Sequence, residues 1–450
     1  MKRKIYSDLL EWKKRSNGST ALLIKGARRV GKSYIVEEFA KNEYQTYVLI
    51  DFNKVSDEVK NLFHNYLDQL DLFFLYLSNY FDVKLIERET LIIFDEVQLF
   101  PRARSAIKYL VADGRYDYIE TGSLISIKKN VEDILIPSEE SHINMYPLDF
   151  EEFLWSCGND MLMPFIRNQF LQKEPMGQAL HRKAMDYFRQ YLIVGGMPQA
   201  VQKYQDTRDF VEVDRVKRDI LTLYADDISK HAEGYYTRVV NLFEGIPSQL
   251  SKQDRKYRLS AISKNARFRE YEDALFWLTD AMIVNNCYNS TEPNIGLRLN
   301  TDRMTLKCYM GDTGLLISHA FDERGLVAEE VYKKILFDKL EVNLGMIIEN
   351  VVAQMLVANN HKLYFYSNPT REDRSSRMEI DFLLAKDKIT NRHNISPIEV
   401  KSSNRYTLTS LKKFVEKYKQ QLRTPYVLHA LDLKVEDEIV FLPLYMTPLL

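Results

Sequence analysis

The stretch LLIKGARRVGKSYIVEEFA, at residues 22–40, constrains the fold of this 450-residue chain more than any other. It places an apolar run before a glycine-containing basic loop, and a helix-like run after it. The positions of Gly26, Gly31, Lys32 and Ser33 fit the pattern G-x-x-x-x-G-K-[ST]. A strand, this loop and a helix in succession predict a phosphate-binding loop at a helix N-terminus.

Each part of this loop has an expected role. Glycines let backbone N–H groups curl around phosphate oxygens, and the Lys32 ammonium reaches the β- and γ-phosphates. The Ser33 hydroxyl holds Mg²⁺. The sequence therefore predicts ATP and Mg²⁺ as ligands of one continuous segment. The predicted nucleotide-binding residues of the loop are Gly26, Ala27, Arg28, Arg29, Val30, Gly31, Lys32 and Ser33.

The first third of the chain alternates strand-like and helix-like runs, which is typical of a parallel α/β sheet that binds its ligand at the carboxyl ends of the strands. The predicted elements are strands at 21–25, 46–52, 90–96 and 116–123, a helix from 32, and a long helical stretch near 56–82.

Two carboxylates follow the buried run LIIF at the end of the third strand. Asp95 is expected to hold Mg²⁺ through water, and Glu96 to polarise the attacking water. The simpler alternative is a solvated acidic turn. Together with the phosphate loop, the pair indicates a nucleotide hydrolase.

The fourth strand ends in IETGS, where a hydroxyl can sense the γ-phosphate. Thr121 is the preferred residue and Ser123 the second, and turn capping is an equally good explanation. Arg102 and Arg104 are nearby arginines, but the sequence assigns no arginine finger.

Composition narrows the class of protein. The formal net charge is −1, so a nucleic-acid surface must be a local patch. Cys157, Cys287 and Cys308 are far apart, which disfavours a disulfide scaffold. The N-terminus lacks the apolar centre of a signal peptide. We expect a cytoplasmic protein that does not contact a membrane, with the oligomeric state open.

The order of the remaining patterns predicts three domains. Residues 1–205 are expected to form the nucleotide-binding domain, with a helical lid at about 150–205. Residues 206–335 carry a basic stretch, a helix and a hairpin-like run, which favours a winged-helix-like region. Residues 336–450 return to strands and helices and predict a second α/β domain.

Charged residues recur in this last domain. Because strand side chains alternate, Glu399 and Lys401 share one face, and Asp381 lies on one face of the preceding strand-like run MEIDFLLA. Glu349 lies on the apolar stripe of the helix LGMIIENVVAQML and therefore needs a partner.

A helical Glu followed by D…E-x-K resembles the PD-(D/E)XK nuclease fold, although Ile380 stands where that name places proline. The resemblance implies metal binding by Glu349, Asp381 and Glu399, and activation of water by Lys401. An inactive relic, or surface charges on an edge strand, is the alternative.

The whole chain also resembles an AAA+-type prokaryotic ATPase family whose C-terminal region has no known function. The motifs that carry this resemblance are GARRVGKS, IIFDEVQLFP, IETGSL, PLDFEEFL, VGGMPQAV and YMGDTGLL. It implies a P-loop NTPase core of AAA+ type, a winged-helix element and a nuclease-like C-terminal domain.

The combined prediction is an ATPase that uses Lys32, Ser33, Asp95 and Glu96 and acts on or near DNA or RNA. The main alternative is a nucleotide-dependent switch or scaffold whose C-terminal domain only binds a partner. A small-molecule kinase is a third possibility, disfavoured by Glu96, which suits activation of water.

Overall fold

The computed structural model describes residues 1–122, 138–232, 234–252, 255–258, 268–294, 296–322, 327, 329–337, 339, 343–368, 377–385, 394–403 and 405–450. The predicted sensor Ser123 and most of the basic stretch at 251–268 lie outside these residues. The chain forms two compact units. The first contains residues 1–146 and 280–282, and the second contains 147–279 and 283–450.

The first unit is built on a five-stranded sheet whose order is β2-β3-β4-β1-β5 and whose neighbouring strands are all parallel. Its strands are β1 Ala21–Gly26, β2 Thr46–Asp51, β3 Thr90–Asp95, β4 Asp117–Gly122 and β5 Glu140–Met145. Its helices are α1 Ile5–Ser16, α2 Lys32–Glu43, α3 Asp57–Asn65, α4 Leu70–Phe81 and α5 Pro101–Asp113. The predicted parallel α/β sheet is confirmed.

Both faces of this sheet are covered, because successive residues of each strand enter different cores. In β1, Leu23 packs in one cluster with residues of α3, α4 and α5. Its neighbours Leu22 and Ile24 pack on the other face with residues of α1 and α2. The fully buried strands explain why the sequence shows continuous apolar runs.

Two details of the first unit differ from the prediction. The stretch near 56–82 forms two helices, α3 and α4, and not one. The break lets Phe63 of α3 and Phe73 of α4 pack in the same core, with ring centroids 5.1 Å apart. The sequence analysis also missed β5, because its sequence ESHINM is mostly polar and only partly buried.

The second unit begins with a helical region. The helices that the structure describes in this unit are α6 Phe150–Ser156, α7 Leu162–Gln172, α8 Gln178–Val194, α9 Pro198–Thr207, α10 Phe210–His231, α11 Tyr236–Leu250, α12 Phe268–Asp280, α13 Thr313–Ala320, α14 Glu329–Leu336, α15 Leu344–Ala358 and α16 Thr409–Lys417. Along the described ranges, no helix combines the length and apolar character needed to cross a membrane.

Two sheets complete the second unit. The four-stranded sheet has the order β7-β6-β8-β9, and the five-stranded mixed sheet has the order β10-β11-β12-β14-β13. The strands are β6 Val284–Ser290, β7 Thr301–Met310, β8 Tyr364–Asn368, β9 Met378–Ile380, β10 Phe382–Ala385, β11 Ile395–Val400, β12 Tyr426–His429, β13 Lys434–Glu436 and β14 Ile439–Pro443.

The run MEIDFLLA, predicted as one strand, is divided at Asp381. Before this residue, β9 pairs with β8; after it, β10 pairs with β11. Asp381 therefore stands where the chain passes from one sheet to the other. The two compact units divide the chain after Tyr146. The three-domain division at 205 and 335 stays a prediction.

Candidate functional site

The phosphate-loop sequence lies between β1 and α2, and two of its glycines have steric reasons to be there. Gly31 has a φ of 96°, a left-handed conformation that favours glycine, and it immediately precedes α2. A Cβ on Gly26 would lie 2.6 Å from the carbonyl oxygen of Met145 on β5. Ala27 and Val30 are buried, whereas Arg28 and Arg29 are exposed.

The Lys32 ammonium lies inside the loop. Its Nζ donates to the carbonyl oxygens of Gly26 at 2.9 Å and Ala27 at 3.1 Å. Arg3, which sequence reasoning missed, donates to Val30 O at 3.1 Å and to Tyr146 O at 2.7 Å. The loop is therefore braced on two sides by cations that bond to its backbone.

The predicted acid and hydroxyl groups meet at the ends of neighbouring strands. Ser33 Oγ donates to Asp95 Oδ1 at 2.8 Å, and Thr121 Oγ1 donates to the same oxygen. The backbone N–H of Glu96 lies 3.4 Å from Thr121 Oγ1. Glu96 has a φ of 54°, so the chain turns sharply where β3 ends. Its carboxylate accepts a hydrogen bond from Gln98.

This donor set suits a hard divalent cation. Mg²⁺ prefers hydroxyl, carboxylate and water oxygens. The Ser33 hydroxyl and the Asp95 carboxylate offer such oxygens beside the phosphate loop, and Thr121 orients the carboxylate. The residues present therefore fit the Mg²⁺ that accompanies a nucleotide in P-loop proteins.

A second polar cluster, which we call the C-terminal cluster, lies in the second unit. It contains the four residues predicted for the nuclease-like site, Glu349, Asp381, Glu399 and Lys401, and the chain brings them near one another. Asp381 directly precedes the pair Phe382–Ile398 that begins the register of β10 and β11, and Asp381 Oδ2 accepts from Val400 N at 2.8 Å. Lys401 Nζ donates to Glu399 Oε2 at 2.8 Å.

The C-terminal cluster also contains cations that sequence reasoning missed. Lys307, on β7, lies 3.0 Å from Glu349 Oε1, 3.2 Å from Glu379 Oε1 and 3.6 Å from Asp381 Oδ1. Arg255 pairs with the other carboxylate oxygen of Glu349. The signal for Lys307 is the run TLKCYM, in which Lys307 and Tyr309 share one face of a strand that is otherwise apolar there.

The electrostatics of this cluster follow from burial and pairing. Burial alone would raise the pKa of Glu349, but Lys307 and Arg255 outweigh it and hold that pKa below its ordinary value. Burial and Glu349 raise the pKa of Asp381. Burial and the nearby Asp381 raise the pKa of Glu399 to about 8. Glu349, which contacts two cations, is therefore stabilised as an anion, whereas burial outweighs the cations near Asp381 and Glu399.

The predicted metal site at Glu349, Asp381 and Glu399 stays a prediction. Among the residues that the structure describes, no group of three or more His, Cys, Asp and Glu side chains is arranged so that it could hold a metal ion. Lys307 contacts Glu349 and Asp381, whereas Lys401 contacts Glu399.

Comparison with known protein families gives one match that covers the phosphate-loop site. Residues 18–154 match the AAA domain. Residues 185–324 match a domain of unknown function (DUF8612), and residues 344–446 match another (DUF4143). The comparison with curated proteins gives no match. Residues 18–154 are therefore similar to an AAA domain, and we call this part of the chain the AAA domain below.

Solved structures give distant likenesses. The Walker-type ATPase PABY2304 of Pyrococcus abyssi is 14% identical and covers 71% of this chain and 95% of its own, with a TM-score of 0.41. Aeropyrum pernix Orc1 in complex with DNA is 9% identical; the match covers 75% of this chain and 93% of the other, with a TM-score of 0.26. AMPPCP-bound DnaA from Aquifex aeolicus is 10% identical; the match covers 62% of this chain and 86% of the other, also with a TM-score of 0.26. At such TM-scores, these likenesses say nothing about function.

The two nearby arginines of the AAA domain are engaged within it. Arg102 Nε donates to the carbonyl oxygen of Phe63 at 2.7 Å. Arg104 makes a bidentate pair with the buried Glu140, with N···O distances of 3.0 and 2.9 Å. Arg102 is thus bonded to α3 and Arg104 to β5, and these bonds are consistent with a structural role for both arginines.

Proposed function

We propose that the AAA domain hydrolyses ATP with Mg²⁺. The observation that carries this proposal is the hydrogen bond between Ser33 of the loop and Asp95 at the end of β3. It joins the two groups that a P-loop ATPase needs around its cation, and Glu96 follows directly in the chain. A turn formed only for structural reasons would not require this contact across 62 residues.

The residues then divide the chemistry among them. The Lys32 ammonium exchanges the carbonyl oxygens of Gly26 and Ala27 for phosphate oxygens, which are stronger acceptors because they are charged. Ser33 and Asp95 hold Mg²⁺, which when bound offsets the charge of the phosphates. The Glu96 carboxylate orients the attacking water and accepts its proton. Thr121 keeps Asp95 in place and is the preferred γ-phosphate sensor.

Phosphate release by the purified full chain tests this proposal. We expect Lys32→Ala to lower turnover by at least about 100-fold, because the developing charge on the phosphates loses its nearest cation. Lys41→Ala is the matched control, since this lysine of α2 is exposed and pairs with Glu37. Wild-type turnover in Lys32→Ala would refute the site. Nucleotide binding without any hydrolysis by the wild type would favour the alternative of a nucleotide-dependent switch or scaffold.

We further propose that the second unit contacts DNA or RNA through the hairpin of β6 and β7. This antiparallel hairpin follows α12, which is the order expected of a winged helix. Arg298 and Leu299 lie in the connection between the two strands, and Arg303 and Met304 lie on β7. All four are exposed, with exposed fractions of 85% for Leu299 and 70% for Met304. Arginines neutralise phosphates, and exposed apolar side chains can pack in a groove.

Fluorescence anisotropy with labelled duplex DNA and RNA tests this interface. We expect the double variant Arg298→Ala/Arg303→Ala to weaken binding. The slope of log K against log salt concentration should decrease in magnitude by about two, because two phosphate contacts are lost. The control Arg182→Ala/Arg215→Ala removes two exposed arginines from helices of the same unit. An equal loss in both double variants would indicate a general charge effect, and the absence of binding by the wild type would refute the proposal.

A further inference from the structure

Three carboxylates of the C-terminal cluster converge on one ammonium group. Glu349 comes from α15, Glu379 from β9 and Asp381 from the passage between β9 and β10. Each places one oxygen between 3.0 and 3.6 Å from Lys307 Nζ. In the nuclease-like fold that the sequence resembles, Asp381 and Glu349 are expected to face a divalent cation. In this structure Asp381 and Glu349 face the ammonium group of Lys307.

A metal ion cannot occupy the point on which these three oxygens converge while the Lys307 ammonium lies there. Mg²⁺ demands oxygens at about 2.0–2.1 Å in near-octahedral geometry, so it would have to displace Lys307 from contact with the same carboxylates. Some of the other acceptor positions are also taken. Arg255 and Tyr309 bond to Glu349, and Lys401 bonds to Glu399.

Lys307 is held firmly where it lies. Its side chain is 1% exposed, and β7 pairs with β6 at this level, with Lys307 opposite Cys287. The ammonium also lies 5.1 Å from the centroid of the Phe365 ring. Moving it away would leave a buried ammonium unpaired and would take one cation from each of three carboxylates, which is strongly unfavourable.

The cations of the cluster match or outnumber its anions without a metal. The carboxylates are those of Glu349, Glu379, Asp381 and Glu399, and the cations that touch them are Arg255, Lys256, Lys307 and Lys401. Because the pKa of Glu399 is raised to about 8, at most four negative groups face four positive ones. A divalent cation added to this set would create an excess of positive charge in a largely buried place.

We infer that Lys307 replaces the divalent cation in the C-terminal cluster, so that this domain binds no Mg²⁺ or Mn²⁺ there and does not cleave nucleic acid. The ammonium instead fastens β7 to α15 and to the passage between the two sheets. The domain then contributes binding and not hydrolysis. This inference does not depend on ATP hydrolysis by the AAA domain or on the β6–β7 hairpin as an interface.

Mn²⁺ titration of the full chain without nucleotide, followed by calorimetry, tests the inference. We expect no saturable site in the wild type at millimolar Mn²⁺ and one new site in Lys307→Met, which keeps the apolar stem and removes the charge. Adding Asp381→Asn to Lys307→Met should abolish the new site. Lys256→Met is the control, because it removes a cation that pairs with Glu379 away from Lys307 and should create no site.

A thermal melt covers the case in which Lys307→Met folds poorly. A ligand that binds only the folded chain raises its melting temperature, so Mn²⁺ should raise that of Lys307→Met and leave that of the wild type unchanged. Two results would overturn the inference. One is a saturable Mn²⁺ site in the wild type that Asp381→Asn removes. The other is a folded Lys307→Met that gains no Mn²⁺ site.

Discussion

The two polar sites of this chain use the same residue types in opposite ways. In the AAA domain, Lys32 bonds to backbone carbonyl oxygens, and the carboxylate of Asp95 bonds to two hydroxyls. In the C-terminal cluster, Lys307 and Lys401 bond directly to carboxylates. The first arrangement leaves lysine and acid available for an anion and a cation. The second satisfies them with each other.

The difference shows what sequence spacing leaves open. Both sites place acids at strand ends and a lysine nearby, so both predict a metal-dependent reaction. The outcome depends on whether the lysine and the acid are neighbours in space. This distinction leads to two contrasts between the sites, and a third, smaller contrast concerns a buried histidine elsewhere in the second unit; each can be measured.

The largest contrast concerns catalysis. We expect Glu96→Gln to bind ATP normally but to lower turnover by about 10²–10⁴-fold, because an amide cannot accept the proton of the attacking water. The matching change in the second unit, Glu399→Gln, should leave turnover unchanged. Single-turnover phosphate release and nucleotide binding, measured on the same preparations, check this. A parallel loss of binding and turnover in Glu96→Gln would instead indicate a structural or metal-binding role.

The second contrast concerns stability. We expect Glu349→Gln to destabilise the second unit by about 3 kcal/mol, because Arg255 would lose the carboxylate that it contacts and the buried Lys307 would lose one of its three. In the AAA domain, Asp95→Asn should cost no more than about 1 kcal/mol, since its partners are neutral hydroxyls.

Urea titrations monitored by hydrogen exchange of α15 and β3 separate the two units. Glu379→Gln serves as the control within the cluster, because its side chain is 30% exposed and a change there should matter less. Equal losses for Glu349→Gln and Asp95→Asn would contradict the contrast.

The smallest contrast involves pH. Burial lowers the pKa of His429 to about 4, and the neutral ring bonds to the Tyr406 hydroxyl and the Asp432 carbonyl oxygen. The unfolded chain binds this proton more readily than the folded chain. The contribution of neutral His429 to the free energy of unfolding is therefore complete above pH 6.5 and decreases as the pH falls. We expect a loss of about 2 kcal/mol in the second unit between pH 7 and pH 5.

The His429→Gln variant isolates this effect. It should show a smaller decrease in stability over the same pH range, measured as the difference between the two urea titration series. If wild type and variant lost stability in parallel, other titrating groups would be responsible and the assignment to His429 would be wrong.

The sequence predicts the AAA domain well because its signals are local. The loop, the helix that follows it and the acids after β3 each lie within one short run, so backbone geometry places them together. What it missed there depends on packing, such as the break near Tyr66 that lets α3 and α4 share a core, and the polar edge strand β5. The roles of Lys32, Ser33, Asp95, Glu96 and Thr121 stay predictions that the geometry supports.

The C-terminal cluster is less predictable for a physical reason. Alternation on strands and the helical stripe indicate that Glu349, Asp381, Glu399 and Lys401 approach one another, and they do. The cations that change their chemistry come from distant parts of the chain, with Lys307 separated by 42 residues from Glu349 and Arg255 by 94. No local sequence pattern predicts these contacts, because they depend on tertiary packing.

The origin of Lys307 also affects how this protein can be dissected. The match to the C-terminal domain of unknown function begins at residue 344, whereas Lys307 and Arg255 belong to the segment before it. A fragment cut at this boundary would keep the acids and lose the two cations that neutralise Glu349. Such a fragment could take up metal ions that the intact chain excludes. A nuclease assay on the excised domain would then measure a property created by the cut.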